Sequence, residues 1–231
     1  MSVIPFTSVY YPESDGKPTG ETDLHREEMF RLIHSLQRFY AGGKVYVSGN
    51  LLLYYEQGNP KKFVVPDVFV VNQIEPHPRR VYKVWVERKV PDVIIEVTSR
   101  KTKKTDATKK PDLYRQLRVP EYYLFDPTQD YLDPPLQGYR AAGEQYEPVA
   151  PDPQGSLVSE QLAMRLEVRD QHLVLCRLDT GERLLTDEEA WQRSEEARRV
   201  AEAGREAEAE ARRAAEAELA RLREELRRSK S

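Results

Sequence analysis

Residues 91–99, with the sequence PDVIIEVTS, place a glutamate inside an apolar strand. The residues around Glu96 are β-branched and predict a short strand that is buried on both faces: Val93, Ile94, Ile95 and Val97. A buried carboxylate is costly unless it is paired, metal-bound or protonated. Either Glu96 reaches water or a lysine at the strand end, or it serves a functional site. The partner that decides between these explanations must come from elsewhere in the chain.

A helix is predicted over residues 23–40, because apolar side chains repeat there at helical spacing: Met29, Ile33, Leu36 and Tyr40. His25 lies four residues before Met29 and extends the same apolar face. It is therefore either a core histidine bonded to a backbone carbonyl or a supporting residue of a site.

Three strands are predicted between this helix and the Glu96 strand. Residues 44–48 and 51–56 are separated by a Gly-Asn pair, which is typical of a hairpin turn. Residues 63–71 predict the third strand, which carries the dipeptide Pro66-Asp67.

The order of elements after Glu96 predicts the fold class. A basic turn is followed by a helix over 106–118 and by a buried strand over 121–125. Strand, helix and strand in this order form a βαβ-like unit, and smaller strands follow over 131–180. We therefore expect an α/β fold with a mixed β-sheet flanked by helices.

Spacing selects the partner of Glu96 among the nearby aspartates. Asp92 lies four residues away on the same strand, so the two carboxylates stand roughly 13 Å apart. Asp67 lies on a different strand, and adjacent strands run about 4.8 Å apart. Two close carboxylates repel and require a cation, which a Mg²⁺ site with oxygen ligands would supply. Pairing of the two strands would make Asp67 the partner and leave Asp92 as a turn residue.

Composition restricts the class of protein. The 231 residues include one cysteine, Cys176, so an intramolecular disulfide is excluded and a thiolate zinc site is not expected. We see neither a signal peptide nor an apolar run of about 18 residues, and we expect a cytoplasmic protein with no membrane contact. Residues 1–22 are rich in Pro, Gly and acidic residues and predict a flexible lead-in to a domain over 23–185.

Residues 186–231 differ in composition from the rest of the chain. From residue 187 onwards there are 13 acidic and 11 basic residues, much alanine and no proline. Small or apolar residues follow an approximate heptad: Ala197, Val200, Gly204, Ala207, Ala211, Leu219, Leu222 and Leu226. We expect a long C-terminal helix, either a coiled coil that joins copies of the chain or a lone charged helix.

Basic residues are concentrated between positions 79 and 110, where 11 Lys and Arg stand against four Asp and Glu. In a chain of net charge −3 this local excess indicates phosphate binding. A solvated loop and helix face would explain the same charge.

The ordered set of these features resembles a known superfamily. Pro66-Asp67 followed by Glu96 in IIEV is similar to the PD-(D/E)xK phosphodiesterases, which have the restriction-endonuclease-like fold. More closely, residues 91–127 resemble the Uma-type restriction endonuclease family of bacteria, in which EV-S precedes D…K…Y and then GVPEYW-DP. The matching residues here are EVTS at 96–99, Asp106, Lys110, Tyr114 and VPEYYLFDP at 119–127. The helix with His25 also fits, so the resemblance covers about residues 20–180.

One position departs from the superfamily pattern. A lysine would stand two residues after the glutamate, but this chain has Thr98 there. In the resembled family the lysine has moved to the following helix, where Lys110 lies four residues before Tyr114 on the same face. Lys109 points about 100° away and is the weaker candidate.

The resemblance implies metal-dependent hydrolysis of phosphodiester bonds, with DNA as the expected partner. Asp67, Glu96 and the main-chain carbonyl of Val97 would hold Mg²⁺ or Mn²⁺, and Lys110 would orient water or stabilise negative charge. Three residues are candidate supporting groups: His25, Ser99 and Tyr114. Tyr114 could instead be a packing residue, and Ser99 could cap the following loop. Three lysines would contact phosphates beside the cut: Lys101, Lys103 and Lys104.

Two alternatives to an active endonuclease stay open. The chain could keep the nuclease fold without activity and act as a nucleic-acid-binding or coiled-coil scaffold. The lysine missing at position 98 favours this alternative, whereas the two acidic residues and Lys110 favour the enzyme. An unrelated acid/base enzyme with Glu96 as its base is the third reading.

Overall fold

A computed structural model of the chain describes residues 9–16, 22–99, 102 and 105–229. Its contacts divide it into two compact units, Met1–Leu184 and Leu185–Ser231. Of the lead-in predicted over 1–22, residues 9–16 and 22 are described. In that segment the Tyr11 ring packs edge-on against Tyr54, with 5.0 Å between ring centroids.

The first helix, α1 (Asp23–Phe39), forms where the apolar periodicity predicts it. Thr22 caps its start, because the hydroxyl oxygen accepts a hydrogen bond from the backbone N–H of His25 at 3.2 Å. The side chains of the predicted face that are buried include Met29, Ile33 and Leu36. This face packs on the sheet and fixes where His25 lies.

The remaining elements of the first unit follow in chain order. The strands are β1 (Val45–Ser48), β2 (Leu53–Tyr54), β3 (Phe63–Val64), β4 (Val68–Asn72), β5 (Tyr82–Lys83), β6 (Val93–Val97), β7 (Glu121–Phe125), β8 (Leu136–Ala142), β9 (Gln145–Pro148), β10 (Leu157–Ser159), β11 (Met164–Arg169) and β12 (His172–Arg177). The helices are α2 (Val84–Glu87) and α3 (Lys110–Gln116), and a π-helical turn (Thr105–Lys109) leads directly into α3.

A six-stranded sheet of order β1-β4-β6-β7-β8-β9 forms the centre of this unit. Strands β6 and β7 are parallel and their other neighbours are antiparallel, so the sheet is mixed, as predicted. All five residues of β6 are buried, which confirms the strand predicted around Glu96. Apolar side chains cover both faces of the sheet, with Ile95 in one core cluster and Ile94 in the other.

The hairpin predicted over residues 44–56 is wrong. Strand β1 pairs with β4, whereas β2 pairs with β3 and β5 in a separate three-stranded sheet. The Gly49-Asn50 turn instead contacts the segment before β4, where the N–H of Asn50 donates to the carbonyl of Pro66 at 2.8 Å. Gly49 lies so close to this segment that a Cβ added there would stand 1.9 Å from the carbonyl oxygen of Asp67.

The single strand predicted over residues 63–71 is also wrong, since the structure splits it into β3 and β4. Pro66 has no N–H to donate to a sheet and stands between the two strands. The chain leaves the small sheet there and enters the central one. This break places Asp67 immediately before the first residue of β4.

The second unit consists mainly of α4 (Asp187–Arg228), a helix of 42 residues. The Thr186 hydroxyl accepts a hydrogen bond from the Glu189 N–H, and the Glu189 carboxylate accepts one from the Thr186 N–H. This reciprocal cap explains why the helix begins where the composition changes. In the described part of the chain, no helix is both long and apolar enough to span a bilayer.

Candidate active site

Asp67 and Glu96 meet across the β4–β6 pair. Val68 stands opposite Ile95 in the antiparallel register, so the preceding Asp67 comes beside Glu96. The backbone N–H of Asp67 donates to Glu96 Oε2 at 3.2 Å. In return, the N–H of Val97 donates to Asp67 Oδ2 at 2.8 Å. The strand pairing predicted from spacing is confirmed, and the two carboxylates share one hydrogen-bond network.

Asp92 lies outside this network, as the spacing argument predicts. Its Oδ2 accepts a hydrogen bond from the backbone N–H of Asn72 at 2.6 Å and stands 3.2 Å from Lys89 Nζ. These contacts hold the start of β6 against the end of β4.

His25 supports Asp67 from the first turn of α1. Its Nε2 lies 3.2 Å from Asp67 Oδ2, and the histidine side chain is 2% exposed. An ionised carboxylate only accepts hydrogen bonds, so the imidazole donates. Burial pushes the pKa of Asp67 upwards, but the His25 hydrogen bond, the Lys110 charge and the Val97 N–H together hold it below its ordinary value. His25 is therefore both a buried residue and a neighbour of the candidate metal ligand.

Glu96 is fully buried, with no exposed side-chain surface. Its Oε1 accepts a hydrogen bond from the Tyr114 hydroxyl at 2.7 Å, and its Oε2 lies 2.8 Å from Lys110 Nζ. Burial raises the pKa of Glu96, the Lys110 charge opposes this rise, and the charges of Asp67 and Asp106 add to it. Ionised Glu96 therefore needs a cation beside it. Tyr114, which packing alone could have explained, is buried and also orients this carboxylate.

Lys110 reaches the site from the first residue of α3. Its Nζ lies between two carboxylates, 2.8 Å from Glu96 Oε2 and 3.0 Å from Asp106 Oδ1. Burial lowers the pKa of Lys110, but the surrounding carboxylates outweigh burial and raise it, so the ammonium is kept. Lys109, the weaker candidate, is exposed. The helical-face argument therefore selects the lysine that contacts Glu96.

Asp106 is a component of the site that our sequence reasoning did not assign. Its side chain is 0% exposed and its backbone carbonyl accepts a hydrogen bond from the Tyr122 hydroxyl at 2.8 Å. Burial raises the pKa of this carboxyl, and Lys110 opposes the rise. The signal was present in the spacing, since Asp106 lies four residues before Lys110 and such residues are neighbours on a helical surface.

Ser99 does not contact the carboxylates among the described residues. Its hydroxyl lies 3.1 Å from that of Thr102, and its N–H donates to the same Thr102 oxygen at 3.2 Å, so it organises the start of the following loop. The predicted phosphate contacts lie outside the described residues: Lys101, Lys103 and Lys104.

Asp67 and Glu96 offer carboxylate oxygens, which are the ligand type that Mg²⁺ and Mn²⁺ prefer. Within the described ranges, no group of three His, Cys, Asp or Glu side chains is arranged to hold a metal ion. Mg²⁺ keeps several waters and needs only one or two carboxylates. Asp67 and Glu96 would supply these oxygens, and 14% of the Asp67 side chain is exposed to solvent.

The sequence matches the Uma2 family model, described as "Putative restriction endonuclease", over residues 12–177. The chain belongs to the Uma2 family. One similar solved structure is the crystal structure of a putative nuclease belonging to DUF820 from Anabaena variabilis ATCC 29413. It shares 15% identity, with a TM-score of 0.48, over 65% of this chain and 81% of that one. No curated protein matches.

Membership of the Uma2 family confirms the resemblance drawn from the EVTS and VPEYYLFDP segments. The matched range includes α1 with His25, both metal-ligand candidates and α3. The core is restriction-endonuclease-like, with a mixed sheet flanked by helices, as the sequence predicts.

Proposed function

We propose that this Uma2-family protein is a metal-dependent endonuclease that hydrolyses phosphodiester bonds in DNA. The convergence of Asp67, Glu96 and Lys110, which come from three separate segments of the chain, carries this proposal. DNA is the favoured substrate because the family is described by restriction endonuclease activity. The 2.8 Å contact of Lys110 with Glu96 supports an enzyme over an inactive scaffold, since it supplies the lysine that position 98 lacks.

Asp67, Glu96 and the main-chain carbonyl of Val97 would hold the metal. Mg²⁺ or Mn²⁺ in this position would acidify a water molecule and offset negative charge at the phosphorus. His25 keeps Asp67 oriented by its hydrogen bond, and Tyr114 does the same for Glu96.

Lys110 has the charge and the position to act on the reacting groups. Its ammonium is held beside Glu96 by Asp106, so it can donate to the attacking water or to a non-bridging phosphate oxygen. The lysines before the π-helical turn would contact phosphates that flank the cut: Lys101, Lys103 and Lys104.

A nicking assay on supercoiled plasmid tests the proposal. Wild-type protein with Mg²⁺ or Mn²⁺ should convert the plasmid to nicked or linear DNA, and chelation should stop the reaction. Glu96→Gln and Asp67→Ala should each reduce the rate at least about 100-fold, because each removes a carboxylate from the proposed metal site.

Asp112→Asn is the matched control, since Asp112 lies on α3 with 72% of its side chain exposed. It should cut at the wild-type rate. Cleavage that survives both Glu96→Gln and Asp67→Ala would refute this assignment of the site. Binding of DNA without cleavage by folded wild-type protein would favour the scaffold instead.

A further inference from the structure

Helix α4 exposes a continuous apolar line that the proposed active site does not use. None of its residues is buried. Its large apolar side chains are more than half exposed, at 63% for Val200, 51% for Leu219 and Leu222, and 59% for Leu226. Exposed leucines at helical spacing are typical of a surface that pairs with another helix.

The line keeps to one face of the helix over about eight turns. Steps of three or four residues connect its members: Ala197, Val200, Gly204, Ala207, Ala211, Ala215, Leu219, Leu222 and Leu226. These steps average close to the 3.6 residues of one turn, so the line does not drift around the helix. Small residues in its first part would allow close approach of a second helix, and the leucines in its last part would supply most of the buried apolar area.

The charges beside the leucines indicate which partner fits. Leu219 and Leu226 take the a positions of a heptad and Leu222 the d position, so Glu218 occupies g and Arg223 occupies e. In a parallel pair of identical helices, g of one copy lies beside the following e of the other. Glu218 of each copy then faces Arg223 of the second copy, and opposite charges meet twice.

An antiparallel pair would reverse this outcome. In that arrangement g positions face g positions and e positions face e positions. Glu218 would then lie near Glu218 or Glu225 of the second copy, so the g positions carry like charges, whereas Arg223 would lie near Arg223 or Glu216. The like charges at the g positions disfavour antiparallel pairing, whereas Glu218 and Arg223 meet only opposite charges in the parallel pair.

We propose that the occupant of this face is a second copy of the chain, paired in parallel along α4. Both helices of such a pair begin at Asp187, so both nuclease domains are attached at the same end. The pairing stands without the proposed function, whereas its consequence, two nuclease active sites in one assembly, rests on it. Only three leucine pairs add large apolar area to a seam that is otherwise mostly alanine. We therefore expect a dimer that dissociates on dilution.

Sedimentation equilibrium on the full-length chain tests the pairing. The wild type should approach twice the chain mass of 26.8 kDa as its concentration rises. Leu219→Glu combined with Leu222→Glu should raise the Kd at least about tenfold, because charged groups enter the seam. Ala217→Glu combined with Ala220→Glu adds the same charge on the other side of the helix and should leave the Kd unchanged.

Charge exchange tests the orientation while the leucines stay in place. Glu218→Arg alone and Arg223→Glu alone should each weaken the dimer, and the double variant should recover it. In an antiparallel pair residues 218 and 223 do not face each other, so the double variant would show no coupled recovery. A wild type that stays monomeric, a control pair that dissociates like the seam pair, or a double variant that fails to recover would overturn the proposal. None of these outcomes depends on nuclease activity.

Discussion

Replacement of Lys110 by methionine should produce an inactive protein that binds Mg²⁺ more tightly. The ammonium lies 2.8 Å from Glu96 Oε2, an oxygen that the proposed metal would also need. Lys110→Met keeps a flexible apolar stem in the same space and removes the charge. Mg²⁺ would then no longer compete with the Lys110 ammonium for Glu96. The hydrolysis would lose the charged hydrogen-bond donor that this ammonium provides.

The structure sets the size of this effect. Two unit charges about 4 Å apart interact by about 4 kcal/mol at an effective dielectric constant of about 20. Lys110 Nζ also lies 3.0 Å from Asp106 Oδ1. A metal that binds beside Glu96 would therefore remove only part of the electrostatic attraction that holds Lys110. We expect Mg²⁺ affinity to rise by about 1–3 kcal/mol, which is roughly 5- to 150-fold. Without metal, loss of the buried ion pairs should lower the free energy of unfolding by about 3–5 kcal/mol.

Isothermal titration calorimetry with Mg²⁺ measures the affinity, and thermal unfolding with and without Mg²⁺ measures the stability. The Tm of Lys110→Met without metal should fall by about 6–20 °C, and Mg²⁺ should recover more of it than in the wild type. Lys109→Met is the matched control, because that neighbouring side chain is exposed. It should match the wild type in affinity, Tm and nicking rate.

Mg²⁺ affinity in Lys110→Met that equals or falls below that of Lys109→Met would refute the competition between ammonium and metal. Asp106→Asn extends the test, because it takes away the second acceptor of Lys110. It should weaken Mg²⁺ binding in the wild type and change nothing when combined with Lys110→Met. An equal loss in both backgrounds would mean that Asp106 acts on the metal through its own charge.

Two other substitutions examine how the carboxylates are held. Tyr114→Phe removes the 2.7 Å hydrogen bond to Glu96. It should lower the free energy of unfolding by about 1–3 kcal/mol and the nicking rate by about 10- to 100-fold. An unchanged nicking rate would contradict the orienting role of Tyr114. Gly49→Ala should displace the backbone at Asp67 and lower both Tm and Mg²⁺ affinity, since the new Cβ would meet the Asp67 carbonyl at 1.9 Å. At Gly204 an added Cβ would meet nothing within 4 Å, so Gly204→Ala should instead stabilise α4 by about 0.5–1 kcal/mol. The thermal loss of helicity measures this change. A Gly49→Ala protein with wild-type Mg²⁺ affinity would show that this contact does not position Asp67.

Local patterns in the sequence determined the elements that carry the site. The β-branched run around Glu96 predicts β6, and all five of its residues are buried. Apolar spacing predicts α1, and the change of composition near Thr186 predicts α4. These features are readable because the period of side-chain burial within one element depends on residues close together in the chain.

Contacts between distant segments were decided by the tertiary structure. The break at Pro66 and the pairing of β1 with β4 depend on which strands become neighbours, and local periodicity is the same for either pairing. The roles of His25, Tyr114 and Asp106 likewise required distant segments to meet, since His25 contacts Asp67, Tyr114 contacts Glu96 and Asp106 contacts Lys110. From the sequence alone, a buried glutamate demanded a partner and spacing favoured Asp67. Helical spacing and the family resemblance also selected Lys110. Only the packed sheet and α3 decided that Tyr114 donates to Glu96 and that Asp106 pairs with Lys110, because burial forces each polar atom to find whichever partner the fold brings within reach.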